Sequence, residues 1–189
     1  MNDAYTVSVI TAVLNGATTL AGTIDSVASQ TYPHVQYIVV DGGSSDATLA
    51  VIDSFRAQID RVVMGPDGGI AEGMNKGLTL AKGDLVLFLH ADDRFADPHA
   101  LTRVMEKVKD LDHIWACDVL FGDGAAQRRV RPRPFNTWAR LRNPLPHQGV
   151  LFPRRLFERL GGFDSQLRIS MDYELWLRAM GAGVGLVRV

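Results

Sequence analysis

Asp92 and Asp93 close the run Val86-Leu87-Phe88-Leu89-His90-Ala91, so an apolar strand carries two adjacent carboxylates to the point where it must end. A carboxylate there is costly to bury unless a cation or a bound ligand satisfies it. In open α/β sheets, ligands sit at the carboxyl ends of the strands. Hard carboxylate oxygens suit Mg2+ or Mn2+ that also holds a substrate phosphate. The plainer alternative is that the pair opens a polar loop and caps the helix after Pro98.

Other polar residues fall at the same place in their segments. Thr11 and Asn15 stand at the end of a first apolar run, Asp41 at the end of a second, and Asp67 after a third. Turn chemistry explains any one of them, since Asp and Asn bond their own backbone. Four consecutive segments ending this way point to a shared ligand edge. Asp41-Gly42-Gly43-Ser44-Ser45-Asp46 has the parts of a nucleoside clamp: a carboxylate, flexible backbone and a helix start. A carboxylate there can accept from ribose hydroxyls or a pyrimidine N–H, and the glycines allow close approach. The spacing is neither that of a dinucleotide fingerprint nor that of a P-loop. Lys76, in Asn75-Lys76-Gly77, is either a point charge for a diphosphate or a solvated helix lysine.

The elements that must position these groups alternate. Val7–Val13, Val35–Val40, Arg61–Met64 and Leu85–Leu89 read as strands. Leu20, Ile24, Val27 and Ala28 form one helical face, capped by Thr18 or Thr19. Leu49, Ile52, Phe55 and Ile59 form another, capped within Ser44-Ser45-Asp46, and a third helix spans about Ile70–Leu80. This order predicts an α/β fold with a mainly parallel sheet and helices on both faces.

The second half changes character. Leu101, Val104, Met105 and Val108 mark a helix; Ile114–Phe121 and Gln127–Val130 flank Gly122-Asp123-Gly124 as a hairpin. Arg128 to Pro146 is rich in Arg and Pro, Val150–Phe152 reads as a strand and Tyr173–Met180 as a helix. A last strand, Val184–Val189, runs to the end of the sequence, which fits a short protein or a shortened one. One domain is expected, its two halves covering residues 1–95 and 96–189.

The chain's 189 residues suffice for a sizeable core, and a net charge of −1 gives no global field for nucleic acid. The lone cysteine, Cys117, excludes an intrachain disulfide and reads as a small buried hydrophobe in a reducing compartment. No signal peptide is evident at the N-terminus, and no apolar run approaches the roughly 20 residues that span a bilayer. A cytoplasmic protein is expected, with peripheral contact at the inner face of a membrane left open.

Val39-Val40-Asp41-Gly42-Gly43-Ser44-Ser45-Asp46, Pro66-Asp67-Gly68-Gly69-Ile70, Met74-Asn75-Lys76-Gly77 and Leu89-His90-Ala91-Asp92-Asp93 together resemble family 2 glycosyltransferases of the GT-A fold. His147-Gln148-Gly149, Gly161-Gly162-Phe163-Asp164 and Met171-Asp172-Tyr173-Glu174-Leu175-Trp176 extend the likeness over nearly the whole chain. The nearest subgroup resembles bacterial enzymes that build exopolysaccharide and lipopolysaccharide sugars. The resemblance implies that Thr11, Asn15, Asp41 and Asp67 serve the nucleoside and that Lys76 lies near the diphosphate. It implies a divalent cation, Mn2+ or Mg2+, held at Asp92 with Asp93 beside it, and Asp172 as catalytic base. Two departures stand out: His90 occupies the first position of the Asp-X-Asp motif, and Met171 precedes Asp172 where an acid is common.

Inverting sugar transfer needs a carboxylate that takes a proton from the attacking acceptor hydroxyl. Asp172 begins a helix, whose dipole favours the ionised form; alternatively it only caps that helix. The resemblance makes residues 1–95 the donor half and 96–189 the acceptor half, where His147 sits in a stiff loop, as a contact to acceptor or pyrophosphate or as a structural histidine. Arg128, Arg129, Arg131 and Arg133 form either a solvated face or a contact for anionic lipid or a lipid-linked acceptor. The expected activity is inverting transfer from a nucleotide-diphosphate sugar, UDP-linked by preference, to a glycan or lipid-linked hydroxyl. A nucleotidyltransferase and a non-catalytic nucleotide-binding module are the rivals.

Overall fold

The computed structural model describes residues 4–122 and 126–189. Nine strands and six α-helices run β1 (Val7–Val13), α1 (Leu20–Ala28), β2 (Val35–Asp41), α2 (Thr48–Ser54), β3 (Arg61–Met64), α3 (Ile70–Leu80), β4 (Leu85–Phe88) and α4 (Ala100–Met105) through the first part. There follow β5 (His113–Ala116), β6 (Val119–Phe121), β7 (Arg128–Val130), β8 (Val150–Pro153), α5 (Arg154–Leu160), α6 (Met171–Gly181) and β9 (Gly185–Arg188). Seven strands form one sheet in the order β3-β2-β1-β4-β8-β5-β9. The first four are parallel, β8 runs antiparallel to both β4 and β5, and β9 is parallel to β5. Residues 96–189 therefore complete the sheet that residues 1–95 begin.

Every residue of β1 is buried, as a central strand covered on both faces must be. Its alternate side chains feed different cores. Val7, Val9 and Val13 pack with α1, α2 and α4, whereas Ile10 and Ala12 pack with α3, α5 and α6. On the second face Phe152, Phe157 and Trp176 form an aromatic centre, with ring centroids 4.3 and 5.8 Å from Phe152.

Helix α3 lies close on β1 and β2 because residue 77 has no side chain. A Cβ on Gly77 would stand 2.4 Å from Ile10 Cγ2 and 3.2 Å from Val40 Cγ2. Both neighbours are β-branched and buried in strands, so neither can swing away. Gly77→Ala should therefore destabilise despite Ala's gain of up to about 1 kcal/mol in helix propensity, because overpacking costs typically 1–3 kcal/mol. A fall of several degrees in Tm by calorimetry is expected; an unchanged or raised Tm would refute the close approach.

The structure corrects three local expectations. Ile114–Phe121 is two strands, broken at Cys117-Asp118, with β5 in the main sheet and β6 paired to β7 as a separate ribbon. The expected turn residues Asp123 and Gly124 lie outside the described residues. Leu49 is 37% exposed, and Ile52 and Ile59 carry the buried stripe on that side. Helix α5 was not anticipated, because Arg154-Arg155-Leu156-Phe157-Glu158-Arg159-Leu160 offers only a two-turn pattern.

Candidate active site

Parallel strands β1 to β4 bring Asn15, Asp41, Asp67 and Asp92 to one sheet edge. Asp41, the last residue of β2, is buried. Its Oδ2 accepts from the Gly43 and Ser44 amides, both at 3.0 Å, while its Oδ1 is buried without any partner. Gly43 adopts φ of 93°, which closes this nest at no steric cost. A carboxylate oxygen left bare in a buried setting is expensive unless a ligand supplies the donor.

Around it the loops after β1 and β2 grip each other. Asn15, at φ of 54°, donates its amide to Ser44 Oγ (2.8 Å) and accepts from the Ser45 amide at Oδ1 (2.9 Å). The Gly16 and Ala17 amides donate to Thr48 Oγ1 and Asp46 Oδ2 at 2.9 and 3.2 Å. Asn15 thus builds the rim of the nest through its side chain. Thr11 is different: it is fully buried, donating to the Leu89 carbonyl at 2.6 Å with Tyr37 Oη 3.0 Å away. Burial pushes the Tyr37 phenol up to about 12, so it stays a neutral donor. The Thr11 hydroxyl is thus spent inside the protein, beneath the Asp41 nest.

Asp67 packs its carboxylate against Gly42 and Gly73; a Cβ on either would meet Asp67 Oδ2 at 2.8 or 3.0 Å. Its Oδ1 accepts from the Gly69 amide at 3.0 Å, fixing the start of α3. Lys76 is held within the fold. Its Nζ donates to the Pro66 carbonyl at 2.8 Å and lies 3.2 Å from Glu72 Oε1, pinning the Asp67 loop to α3.

Asp92 and Asp93 follow β4 into different surroundings. Asp92 is exposed. Asp93 is half-buried at a cavity of about 480 Å³ walled in part by Leu87, Leu89, Val104 and Leu151. Burial, then the neighbouring Asp92, pushes Asp93 up to about 6, and Gln148 Nε2 reaches its Oδ1 only at 3.5 Å. His90 packs against His147 with ring centroids 4.8 Å apart and the rings tilted by 56°. Burial, then His147, drives His90 down to about 4, so its ring is neutral at pH 7 and adds no charge beside Asp92. His147 is shifted down by burial, and Asp172 and Asp92 partly oppose this, which places both carboxylates in its vicinity. His90 Nδ1 and His147 Nε2 are buried without partners.

Asp172 lies in the first turn of α6, entered through Ser170 at φ of 63°. Its Oδ1 accepts from the Tyr173 amide at 2.7 Å and its Oδ2 from Asn143 Nδ2 at 3.1 Å. Helix α6 is anchored by Arg178, which pairs with Glu174 at 2.6 and 2.7 Å and donates to the carbonyls of Leu160, Gly161 and Gly162. Asn75 makes the complementary tie, donating to the Phe163 carbonyl at 2.8 Å and accepting from its amide at 2.9 Å. Motif residues Asn75, Gly162, Glu174 and Arg178 are thus scaffold for the turn between α5 and α6.

Asn143 escaped the sequence reading as a site residue, and its signal was weak: an Asn between Arg142 and Pro144, 29 positions from its partner. Among the described residues no group of three His, Cys, Asp or Glu side chains could by itself hold a metal ion. The donor set at the end of β4, one exposed carboxylate near two imidazole nitrogens without partners, fits an ion completed by substrate oxygens.

Residues 8–159 match the profile of a family described as glycosyl transferase family 2. An uncharacterized glycosyltransferase of Mycobacterium tuberculosis is 36% identical over 95% of this chain and 70% of its own length. A PGL/p-HBAD biosynthesis glycosyltransferase of Mycobacterium bovis is 30% identical over 90% of this chain and 68% of its own. Among solved structures, a Pyrobaculum calidifontis mannosyltransferase in complex with GDP-Man and Mn2+ superposes with a TM-score of 0.78 at 21% identity. It is matched over 100% of this chain, which spans 55% of its length. S. aureus TarS 1–349 in complex with UDP-GlcNAc gives 0.78 at 19% identity, over 97% of this chain and 56% of its own. At such identities the likeness shows the fold, the GT-A arrangement of a mainly parallel sheet between helices. With the sequence match running across β1 to α5, the chain belongs to glycosyl transferase family 2.

Proposed function

We propose that this chain carries the catalytic centre of an inverting transferase that moves a sugar from a nucleoside diphosphate to an acceptor hydroxyl. The observation that carries the reading is the buried Asp41 carboxylate, one oxygen held by two amides and the other without a donor. A pyrimidine imide N–H or a ribose hydroxyl supplies that donor, which favours UDP as the nucleotide. That the two structural neighbours are described with GDP-Man and with UDP-GlcNAc supports a nucleotide-sugar donor and leaves the base to be measured.

Asp92 would hold the divalent cation, Mn2+ or Mg2+, since carboxylate and phosphate oxygens suit either ion. When bound, the ion supplies positive charge against the leaving diphosphate. Asp172 takes the proton from the acceptor hydroxyl as that oxygen attacks the anomeric carbon and the bond to the diphosphate breaks. Asn143 orients the carboxylate, and the N-terminal end of the α6 dipole faces it. The acceptor is a glycan or lipid-linked hydroxyl.

The test is a thermal-shift panel of UDP, GDP, dTDP and CDP with and without Mn2+, on the wild-type chain and on Asp92→Asn. Ligand at about 100 times its Kd stabilises by roughly 2.7 kcal/mol. A shift with UDP that needs the ion and is lost in Asp92→Asn is the expected result. No shift with any nucleotide would reject the donor site. Binding without turnover on any hydroxyl acceptor would favour a non-catalytic nucleotide-binding module, the reading that His90 and Met171 leave in play.

A further inference from the structure

Residues 127–143 contain six arginines, with no lysine and no acidic residue, in a chain whose net charge is −1; the remainder is therefore acidic. The structure spreads these arginines over one face. Arg129 and Arg131 approach Asp118 Oδ2 at 3.8 and 3.7 Å, and Arg188 approaches its Oδ1 at 3.7 Å. One carboxylate thus serves three guanidiniums. Arg128, Arg133, Arg140 and Arg142 are exposed, and none has a carboxylate partner among the described residues.

The same face displays large apolar side chains. Trp138 is 76% exposed and Leu141 75%, on a short helical turn at Thr137–Arg140 and the residue after it. A groove of about 490 Å³ holds Trp138 and Leu141 between Arg133 and Arg142. A second groove of about 270 Å³ shares Arg133 and Arg142 and adds Phe121 from β6, so the two adjoin. Exposed aromatic and aliphatic groups ringed by unpaired cations are the chemistry of a surface that lies in a lipid interface.

We propose that this face docks the protein on an anionic bilayer, with Trp138 and Leu141 at the headgroup–acyl boundary and the unpaired arginines on lipid phosphates. Nucleic acid would use the arginines and stack on Trp138, but Leu141 beside it offers nothing to a base or a phosphate. The patch also abuts the candidate base, because Asn143, adjacent to Arg142, donates to Asp172. A docked chain would therefore present that carboxylate to a hydroxyl at the membrane surface. The docking itself is independent of the donor-site reading, since it is measured without turnover.

Vesicle flotation of the whole chain tests it, comparing phosphatidylcholine with phosphatidylcholine doped with phosphatidylglycerol. Binding to the doped vesicles alone is expected, with a blue shift in tryptophan emission. That shift reports on Trp138, because the other two tryptophans, Trp115 and Trp176, are 4% and 3% exposed. Arg133→Gln with Arg142→Gln should weaken binding by roughly 30-fold, since a basic residue at an anionic surface contributes about 1 kcal/mol and 1.4 kcal/mol is a factor of ten. Trp138→Ser with Leu141→Ser should lose flotation with the doped vesicles, and Leu141→Ser alone, which keeps the fluorophore, should shrink the emission shift. All four positions are exposed, so a circular dichroism spectrum unchanged from wild type is the control. Equal binding to neutral vesicles, no binding to either, retention by both double variants, or a preference for duplex or single-stranded oligonucleotides would each overturn the proposal.

Discussion

Asp172→Asn should lower kcat for sugar transfer by about 10²–10⁴-fold while nucleotide affinity stays within a few-fold, because a positioned general base contributes about that much. The variant is nearly isosteric. Its carboxamide oxygen can still accept from the Tyr173 amide, so the start of α6 persists and Tm should hardly move. What is lost is a basic lone pair on the atom that Asn143 now orients. Helix anchoring does not depend on residue 172 either, since Glu174 and Arg178 secure α6 to the α5 turn. Retained transfer with a normal Tm would reduce Asp172 to a helix-terminal carboxylate. A fall in both transfer and Tm would mean that its contribution is structural.

Much of this arrangement is legible in the residue pattern, and the reasons are local. The strands β1 to β4 are short apolar runs, each followed by a helix, and a right-handed crossover between parallel neighbours leaves their carboxyl ends at one edge. Asp41, Asp67 and Asp92 reach that edge simply because they end or follow those runs. Beyond residue 113 the pattern weakens, because pairing there is set by distant partners. β8 enters the sheet antiparallel between β4 and β5, and nothing within Val150-Leu151-Phe152-Pro153 records that choice. The break at Cys117-Asp118 is equally hidden, since β6 continues the apolar character of β5 while pairing with a different strand.

Side-chain commitments were the least readable. Lys76 is a good candidate for phosphate by type and by position on α3, yet the Pro66 carbonyl and Glu72 claim it. Thr11 sits on a strand buried on both faces, and a hydroxyl there must find a partner inside the protein. Whether a polar group at a sheet edge faces the ligand or the fold is decided by tertiary neighbours 26 and 78 positions away in the case of Thr11. Spacing along the chain carries no trace of them.

The second large effect is expected at Asp41, where the carboxylate divides its two oxygens between the fold and an open position. In Asp41→Asn the carboxamide oxygen must face the Gly43 and Ser44 amides, since turning the NH2 toward them would oppose donors to donors. The NH2 then occupies the position of Oδ1, offering a donor where a nucleobase N–H or ribose hydroxyl needs an acceptor. Hydrogen bonds to a charged group are worth about 1.5–3 kcal/mol, so nucleotide affinity should fall by about 10–150-fold. The unliganded protein should not suffer comparably. Wild type buries a carboxylate oxygen with no donor, and the amide, a weaker demand on its surroundings, lowers that cost while keeping acceptance from the nest. Tm without ligand is thus expected to hold or rise, while the nucleotide-induced shift shrinks toward zero. Calorimetric titration with the nucleotide that wins the panel distinguishes the cases. Unchanged affinity would free Asp41 from ligand contact and leave it a loop-closing residue, whereas a falling Tm without ligand would show that both of its oxygens serve the fold.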